Sequence, residues 1–188
     1  MVLDAAATWD GEIPGHGRTR MVVAGAPPPT RTIERAISEL GWEFIQIYGL
    51  TETSPVLTMN RARAEYDELD PTERAQALGR AGAPVLGIDV RVSADGEVQA
   101  RGNAVMAGYW EQPEASAEAI PDGWFHTGDG GAIDEDGYVQ ILDRKKDVII
   151  SGGENVSSIE VEDALFSHAA VAEVAVIGIP HEKWGETV

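Results

Sequence analysis

Short apolar runs, separated by breaks rich in glycine and proline, organise this chain. The first is Met21 to Ala24, a strand-length run stopped by Gly25-Ala26-Pro27-Pro28-Pro29, where proline cannot continue a ladder. From about Arg31 to Leu40 the apolar spacing becomes helical. Ile33, Ala36, Ile37 and Leu40 share one face, Thr30 stands where a cap is expected and Gly41 ends the element. Phe44 to Ile47 reads as the next strand. A β-α-β order of this kind predicts a parallel, buried pair with functional loops at the strand ends. Residues 61 to 78 look peripheral, with Asp70, Pro71 and Glu73 marking a helix start.

From Gly79 the pattern changes to short strands and tight turns. Asp95-Gly96 separates Ile88 to Val92 from Val98 to Ala100, and Asp136-Gly137 separates Ala132-Ile133 from Tyr138 to Leu142. Asp-Gly between such runs is a strong hairpin signal. The expectation is a small antiparallel β unit with one short helix at Pro113 to Ala119. Val148 to Ile150 reads as a strand running into Ser151-Gly152-Gly153. Ser157 and Glu160 predict a capping box for a helix to about His168, with Val161, Ala164 and Leu165 as its apolar stripe. Val171 to Ile179 reads as a strand stopped by Pro180. Residues 1 to 18 read as a loop.

Of the 188 residues, 43% are hydrophobic and 24% charged, as in a soluble globular protein. There is no cysteine, which excludes disulfides and thiolate metal sites and fits a reduced, cytoplasmic compartment. The net charge of −18 argues against non-specific binding to nucleic acid or to an anionic membrane. No apolar run approaches the length of a membrane span. An anionic ligand would have to be met locally, by a few cations, by backbone N–H groups or by a divalent metal.

Three stretches carry candidate chemistry. Tyr48-Gly49-Leu50-Thr51-Glu52 leaves the second strand, and there Glu52 is a candidate magnesium ligand and Thr51 a candidate phosphate donor. The same loop equally fits a turn whose polar residues satisfy their own backbone. Gly123-Trp124-Phe125-His126-Thr127-Gly128-Asp129 ends on a carboxylate suited to a diol, since one carboxylate accepts hydrogen bonds from two vicinal hydroxyls. His126, beside a threonine, reads as a packed, hydrogen-bonded residue rather than a catalyst. Asp143 to Asn155, DRKKDVIISGGEN, sets Arg144, Lys145 and Lys146 before a strand and a glycine pair that permits close backbone approach.

Taken together and in order, YGLTE, GWFHTGD and DRKKDVIISGGENVSSIEVED resemble the adenylate-forming (AMP-binding) superfamily. SGGEN and VAVIGIPHEKWGE look most like its acyl-CoA synthetase (fatty-acid or aryl-acid CoA ligase) branch. The resemblance implies an α/β plus β fold. Residues 1–78 would be the end of a large α/β adenylation domain and 79–142 a small antiparallel β-barrel-like subdomain. Residues 143–146 would be a hinge and 147–188 a truncated α+β C-terminal domain.

It also implies an ATP-dependent ligase that activates a fatty or aryl carboxylic acid as the acyl-adenylate and passes it to coenzyme A, with Mg²⁺ as cofactor. On that resemblance Gly25, Ala26 and Pro27 would lie along adenine and Tyr48 would pack on the ring. Thr51 would contact phosphate, Glu52 would hold Mg²⁺, Asp129 would bind the ribose hydroxyls, and Arg144 would reach ribose and phosphate. Lys146 matches the hinge, Asn155 a polar residue near the phosphates, and Ser151, Gly152 and Gly153 the pantetheine path. Gly49, Pro55 and Val56 would wall the acyl pocket.

Two parts of the family pattern are not found: the phosphate loop with its lysine upstream of Tyr48, and a glycine-flanked adenylation lysine, the lysines being Lys145, Lys146 and Lys183. The expectation is a central-to-C-terminal fragment without complete turnover, with apolar strand edges that favour self-association. Three alternatives stay open: a non-catalytic adenylate- or nucleotide-binding fragment, another adenylating enzyme of the superfamily, and a Mg²⁺-dependent phosphohydrolase using Glu52, Asp129 and Asp134.

Overall fold

A computed structural model describes residues 2–188. The elements that carry the site begin with β1 (Arg20–Val23), α2 (Thr30–Leu40) and β2 (Glu43–Tyr48), after a short helix α1 (Val2–Ala7). β1 and β2 pair in parallel, as a β-α-β unit requires, and β3 (Thr58–Arg61) and β4 (Ala83–Pro84) extend the sheet antiparallel in the order β1-β2-β3-β4. Sheet edge β1 bears Val22, which is more than half exposed, whereas β2 is covered on both sides by its neighbours. α2 and α3 (Pro71–Gly79) cover this sheet through Ile33, Phe44, Tyr66, Ala75 and Leu78. The start of α3 follows the sequence: Asp70 accepts from the N–H groups of Thr72 and Glu73, and Glu73 returns the bond to Asp70.

The second sheet is an antiparallel meander of β5 (Ile88–Val92), β6 (Glu97–Gly102), β7 (Phe125–Ile133) and β8 (Val139–Arg144). α4 (Pro113–Ala119) lies between β6 and β7. Register shifts in the β6–β7 and β7–β8 ladders bend the sheet. The first two sheets share one core of Tyr48, Leu57, Ala81, Ile88, Val98, Ala100 and Val139. Gly82 and Val139 exchange backbone hydrogen bonds across the seam, and Arg80 donates to Asp134 at 2.6 Å and to the Tyr66 hydroxyl at 2.7 Å. Site loops from the two sheets are therefore held to a common frame.

The third sheet contains β9 (Ile149–Ser151), β10 (Glu154–Val156), β11 (Ile179–His181) and β12 (Gly185–Thr187) in the order β10-β9-β12-β11. α5 (Ser158–Phe166) is capped by Ser157, which accepts from the Glu160 N–H. No residue of α5 is fully buried. It is tied to the first sheet's helix by polar contacts: the Thr30 N–H and hydroxyl donate to the two Asp163 carboxylate oxygens at 2.7 and 2.8 Å.

Several expectations change. Thr30 is the first residue of α2 rather than its cap; Pro29 holds the cap position and has no side-chain acceptor, and the Thr30 hydroxyl bonds Asp163 instead. Val171 to Gly178 forms no strand; its backbone has no ladder partner among the described residues, and only Ile179–His181 pairs, with β12. Ala164 and Leu165 are exposed, so the predicted stripe of α5 is not a core face. α1 and β3 were not anticipated. Thr58 and Asn60 of β3 are fully buried but polar, paired to Ala81 O and to Ala77 O and Arg80 O, so no apolar run marks the strand.

Leu57 is wholly buried in the core shared by the first two sheets. We expect Leu57→Ala to cost about 2–5 kcal/mol of stability through lost burial and an unfilled cavity. Urea unfolding checks this, and an unchanged midpoint would show that the two sheets do not share a core.

Candidate functional site

The loops after β1 and β2 open onto a cavity of about 410 Å³ lying between the first two sheets and the start of α5. Tyr48, the last residue of β2, is buried, and its hydroxyl donates to Asp129 Oδ2 at 2.7 Å. Asp129 sits in β7 directly opposite Arg144 of β8, whose Nε lies 3.7 Å from Asp129 Oδ1. The Arg144 side chain is mostly exposed, so it reaches the cavity from the solvent side. Gly25, Ala26 and Pro27, on the loop after β1, form the facing wall, and Gln46 and Gly49 complete the floor. Gly49 must be glycine: a Cβ there would stand 1.8 Å from the Pro55 carbonyl oxygen, where the loop folds back.

Asp129 retains free lone pairs on the cavity side, since its oxygens are engaged only by Tyr48 and more loosely by Arg144. Burial pushes its carboxyl above the ordinary range; the Tyr48 bond and the Arg144 charge oppose this, and Glu97 reinforces it. Burial, and then the neighbouring Asp129, push the Tyr48 phenol upward, so it remains a donor at every physiological pH. Gln46 is almost fully buried, lines the cavity and carries an Oε1 with no partner.

The structure thus brings together seven of the residues singled out in the sequence: Gly25, Ala26, Pro27, Tyr48, Gly49, Asp129 and Arg144. The others lie apart from the cavity lining. Thr51 and Glu52 form a 3₁₀ turn after β2, with Thr51 exposed. Glu52 Oε1 accepts from the Tyr109 hydroxyl at 3.0 Å, and its carbonyl accepts from Met106 N–H. A single carboxylate is enough for a magnesium ion that keeps waters and phosphate oxygens as its other ligands. No cluster of three or more His, Asp or Glu able to hold a metal occurs among the described residues. Pro55 is exposed and Val56 half-buried on the return of that loop. Lys146 is exposed in the turn after β8, and Asn155 is exposed on β10. Ser151 and Gly152 line a separate, open hollow of about 420 Å³ with Glu154, Trp184 and Thr187, and Gly153 lies in the adjoining turn.

Asp143 was missed from sequence. It is buried at the cavity, and it accepts from Arg144 N–H at 2.8 Å and from the N–H and hydroxyl of Ser158 at 2.9 and 2.7 Å. It thereby ties the end of β8 to the first turn of α5. The signal was present as an acid before Arg144 with a serine pair opening the next helix. Ile141, Asp147 and Ile159, also in the lining, carry no local signal.

This chain belongs to the AMP-binding enzyme family: the family's model matches residues 3–110, and that of the AMP-binding enzyme C-terminal domain matches residues 160–188. Among its relatives, a 2-methylpropanoate–CoA ligase of Humulus lupulus is 42% identical over all of this chain and 36% of its own length. A peroxisomal trans-cinnamate:CoA ligase of Petunia hybrida is 41% identical over 89% of this chain and 32% of its own. The o-succinylbenzoate CoA synthetase of Bacillus subtilis, solved with its acyl-adenylate intermediate, superposes with a TM-score of 0.78 at 32% identity, covering 98% of this chain and 38% of that one. The chain thus spans about a third of the length of the relatives it matches.

The raised Asp129 carboxyl makes a signed prediction. The folded state holds the Asp129 proton to higher pH than the unfolded chain does. Stability therefore falls as pH rises from the ordinary aspartate range through the raised value, and levels off above it. Asp129→Asn removes this loss. Its stability relative to wild type should climb across that window and then stay constant, as followed by urea unfolding at a series of pH values. A relative stability that fell with pH would contradict the buried, raised carboxyl.

Proposed function

We propose that this chain supplies the adenosine-binding and hinge portion of an ATP-dependent acyl-CoA ligase. The observation that carries the reading is one cavity in which a buried tyrosine and an exposed arginine flank a carboxylate with free lone pairs. In the proposed reaction a fatty or aryl carboxylate attacks the α-phosphorus of ATP and pyrophosphate leaves. The thiol of coenzyme A then attacks the acyl carbon, AMP leaves and the thiol proton passes to solvent. Nucleotidyl transfer of this kind asks for positioning and charge neutralisation rather than covalent chemistry from the protein.

In this reading adenine lies between Tyr48 and the Gly25-Ala26-Pro27 loop, Asp129 accepts from both ribose hydroxyls, and Arg144 spans ribose and phosphate. Thr51 meets phosphate, Glu52 holds Mg²⁺, and Asn155 approaches the phosphates when the third sheet swings about Lys146. Gly49, Pro55 and Val56 wall the acyl group, and the hollow at Ser151, Gly152 and Gly153 takes the pantetheine arm. In this reading the chain divides into 1–78, 79–142, the hinge 143–146 and 147–188, although β4 (Ala83–Pro84) still pairs within the first sheet and β8 runs on to Arg144. The relatives' names, with aliphatic and aryl acids among them, support a carboxylic acid substrate without choosing one. Among the described residues no helix is long and apolar enough to cross a membrane. A cytoplasmic location goes with this reading, although the petunia relative is named as peroxisomal.

AMP binding measured by calorimetry tests the reading. Asp129→Ala should weaken it by about 1.5–3 kcal/mol, the worth of hydrogen bonds to a charged acceptor. Equal affinity in wild type and variant would take Asp129 out of the site. Pyrophosphate exchange with ATP, Mg²⁺ and a panel of acids should stay at background, because no lysine lines the cavity.

The exposed edge of β1 further leads us to expect self-association. Sedimentation should show dimers or larger species at micromolar concentration, and a clean monomer would count against that edge as a contact.

A further inference from the structure

Behind Asp129 lies a second buried acid that the reading above leaves without a task. Glu97 opens β6 and is almost wholly buried. Its Oε1 accepts from the Gly128 N–H at 2.9 Å, and its Oε2 accepts from His126 Nδ1 at 2.9 Å. The Lys145 ammonium stands 3.9 Å from the same Oε2.

The position matters because the β6–β7 ladder breaks there. Glu97 pairs with Gly130 and Gln99 with His126, so Thr127, Gly128 and Asp129 all face the single residue Val98. Side chains replace the lost ladder. The Thr127 hydroxyl donates to Val98 O and accepts from Asp129 N–H, while Glu97 takes the Gly128 N–H. On the other side, Lys145 N–H donates to Gly128 O at 2.9 Å. The Gly128 peptide, at φ 74°, is thus gripped at both ends immediately before Asp129.

Glu97 is itself held by a directed chain. Arg91 Nε donates to Gln99 Oε1 at 2.7 Å, Gln99 Nε2 to His126 Nε2 at 3.0 Å, and His126 Nδ1–H to Glu97. These distances fit the imidazole tautomer protonated at Nδ1.

We infer that Glu97 is the positioning residue for Asp129: its carboxylate fixes the bulged Gly128 peptide so that Asp129 presents its free lone pairs to a vicinal diol, and His126 orients Glu97. Only an acceptor at both oxygens serves. An amide in its place would set a donor against either the Gly128 N–H or the His126 N–H. The inference rests on Asp129 being the diol acceptor, so the test separates the two.

AMP and 2′-deoxy-AMP are titrated into the 188-residue chain by calorimetry, in wild type, Asp129→Asn and Glu97→Gln. Wild type should favour AMP by about tenfold or more. Asp129→Asn should abolish the preference; if it does not, the diol reading falls. Glu97→Gln should shrink the preference at least severalfold while leaving the affinity for 2′-deoxy-AMP near wild type. A Glu97 that merely props up the fold would weaken both ligands equally and keep the ratio, which would overturn the inference. A readout without ligand runs in parallel: amide hydrogen exchange in Glu97→Gln should accelerate at Gly128 and Asp129 by about tenfold but not at Val139. Unchanged protection at Gly128 would overturn the inference whatever the nucleotide data show.

Discussion

The hydrogen bond from Tyr48 to Asp129 is the constraint on which the site depends. It joins the last residue of β2 to the middle of β7, and so crosses from the parallel part of the chain to the antiparallel meander. A buried carboxylate without a donor would be costly, and Tyr48 provides one that does not itself ionise. The same bond closes the inner side of the cavity and turns the other lone pairs of Asp129 outward. The Gly82–Val139 bridge and the Arg80–Asp134 pair keep the two sheets in the register that this bond needs.

The electrostatics of the chain follow from how its few cations are spent. Lys145 is paired with Asp95, Arg80 with Asp134, and Arg101 with Asp89. Arg144 leans loosely on Asp129 and stays mostly in solvent. In a chain of net charge −18, that leaves positive charge at the mouth of one cavity, from Arg144 and the exposed Lys146 in the turn beside it. An anion is met by a local arrangement rather than by the overall field.

Much of this was legible from residue order, and the reasons differ by element. The parallel β1–β2 pair and the hairpins at Asp95-Gly96 and Asp136-Gly137 follow from local rules that tertiary contacts did not override. The capped start of α3 belongs with them. Tyr48, Asp129 and Arg144 were singled out by their motifs, and the fold puts them around one cavity. What stayed hidden is non-local. β3 is polar because Thr58 and Asn60 bond to backbone far along the chain. Asp143 and Glu97 look like ordinary acids until the fold buries them against Ser158 and Gly128. Val171 to Gly178 has the composition of a strand, but composition supplies no partner, and a strand without a ladder is only an extended segment.

The join between α5 and α2 differs in kind from the join between the first two sheets. The sheets are fused by apolar side chains, and parting them would expose that core. α5 has no fully buried residue and meets the rest of the chain through Asp163 on Thr30 and Asp143 on Ser158. Parting α5 from the body would exchange these bonds for bonds to water and uncover Ile159 at the cavity, a smaller change than opening the apolar core between the two sheets. α5 is therefore fastened to the body more like a clasp than a weld, by a few directed bonds rather than by interlocked apolar side chains.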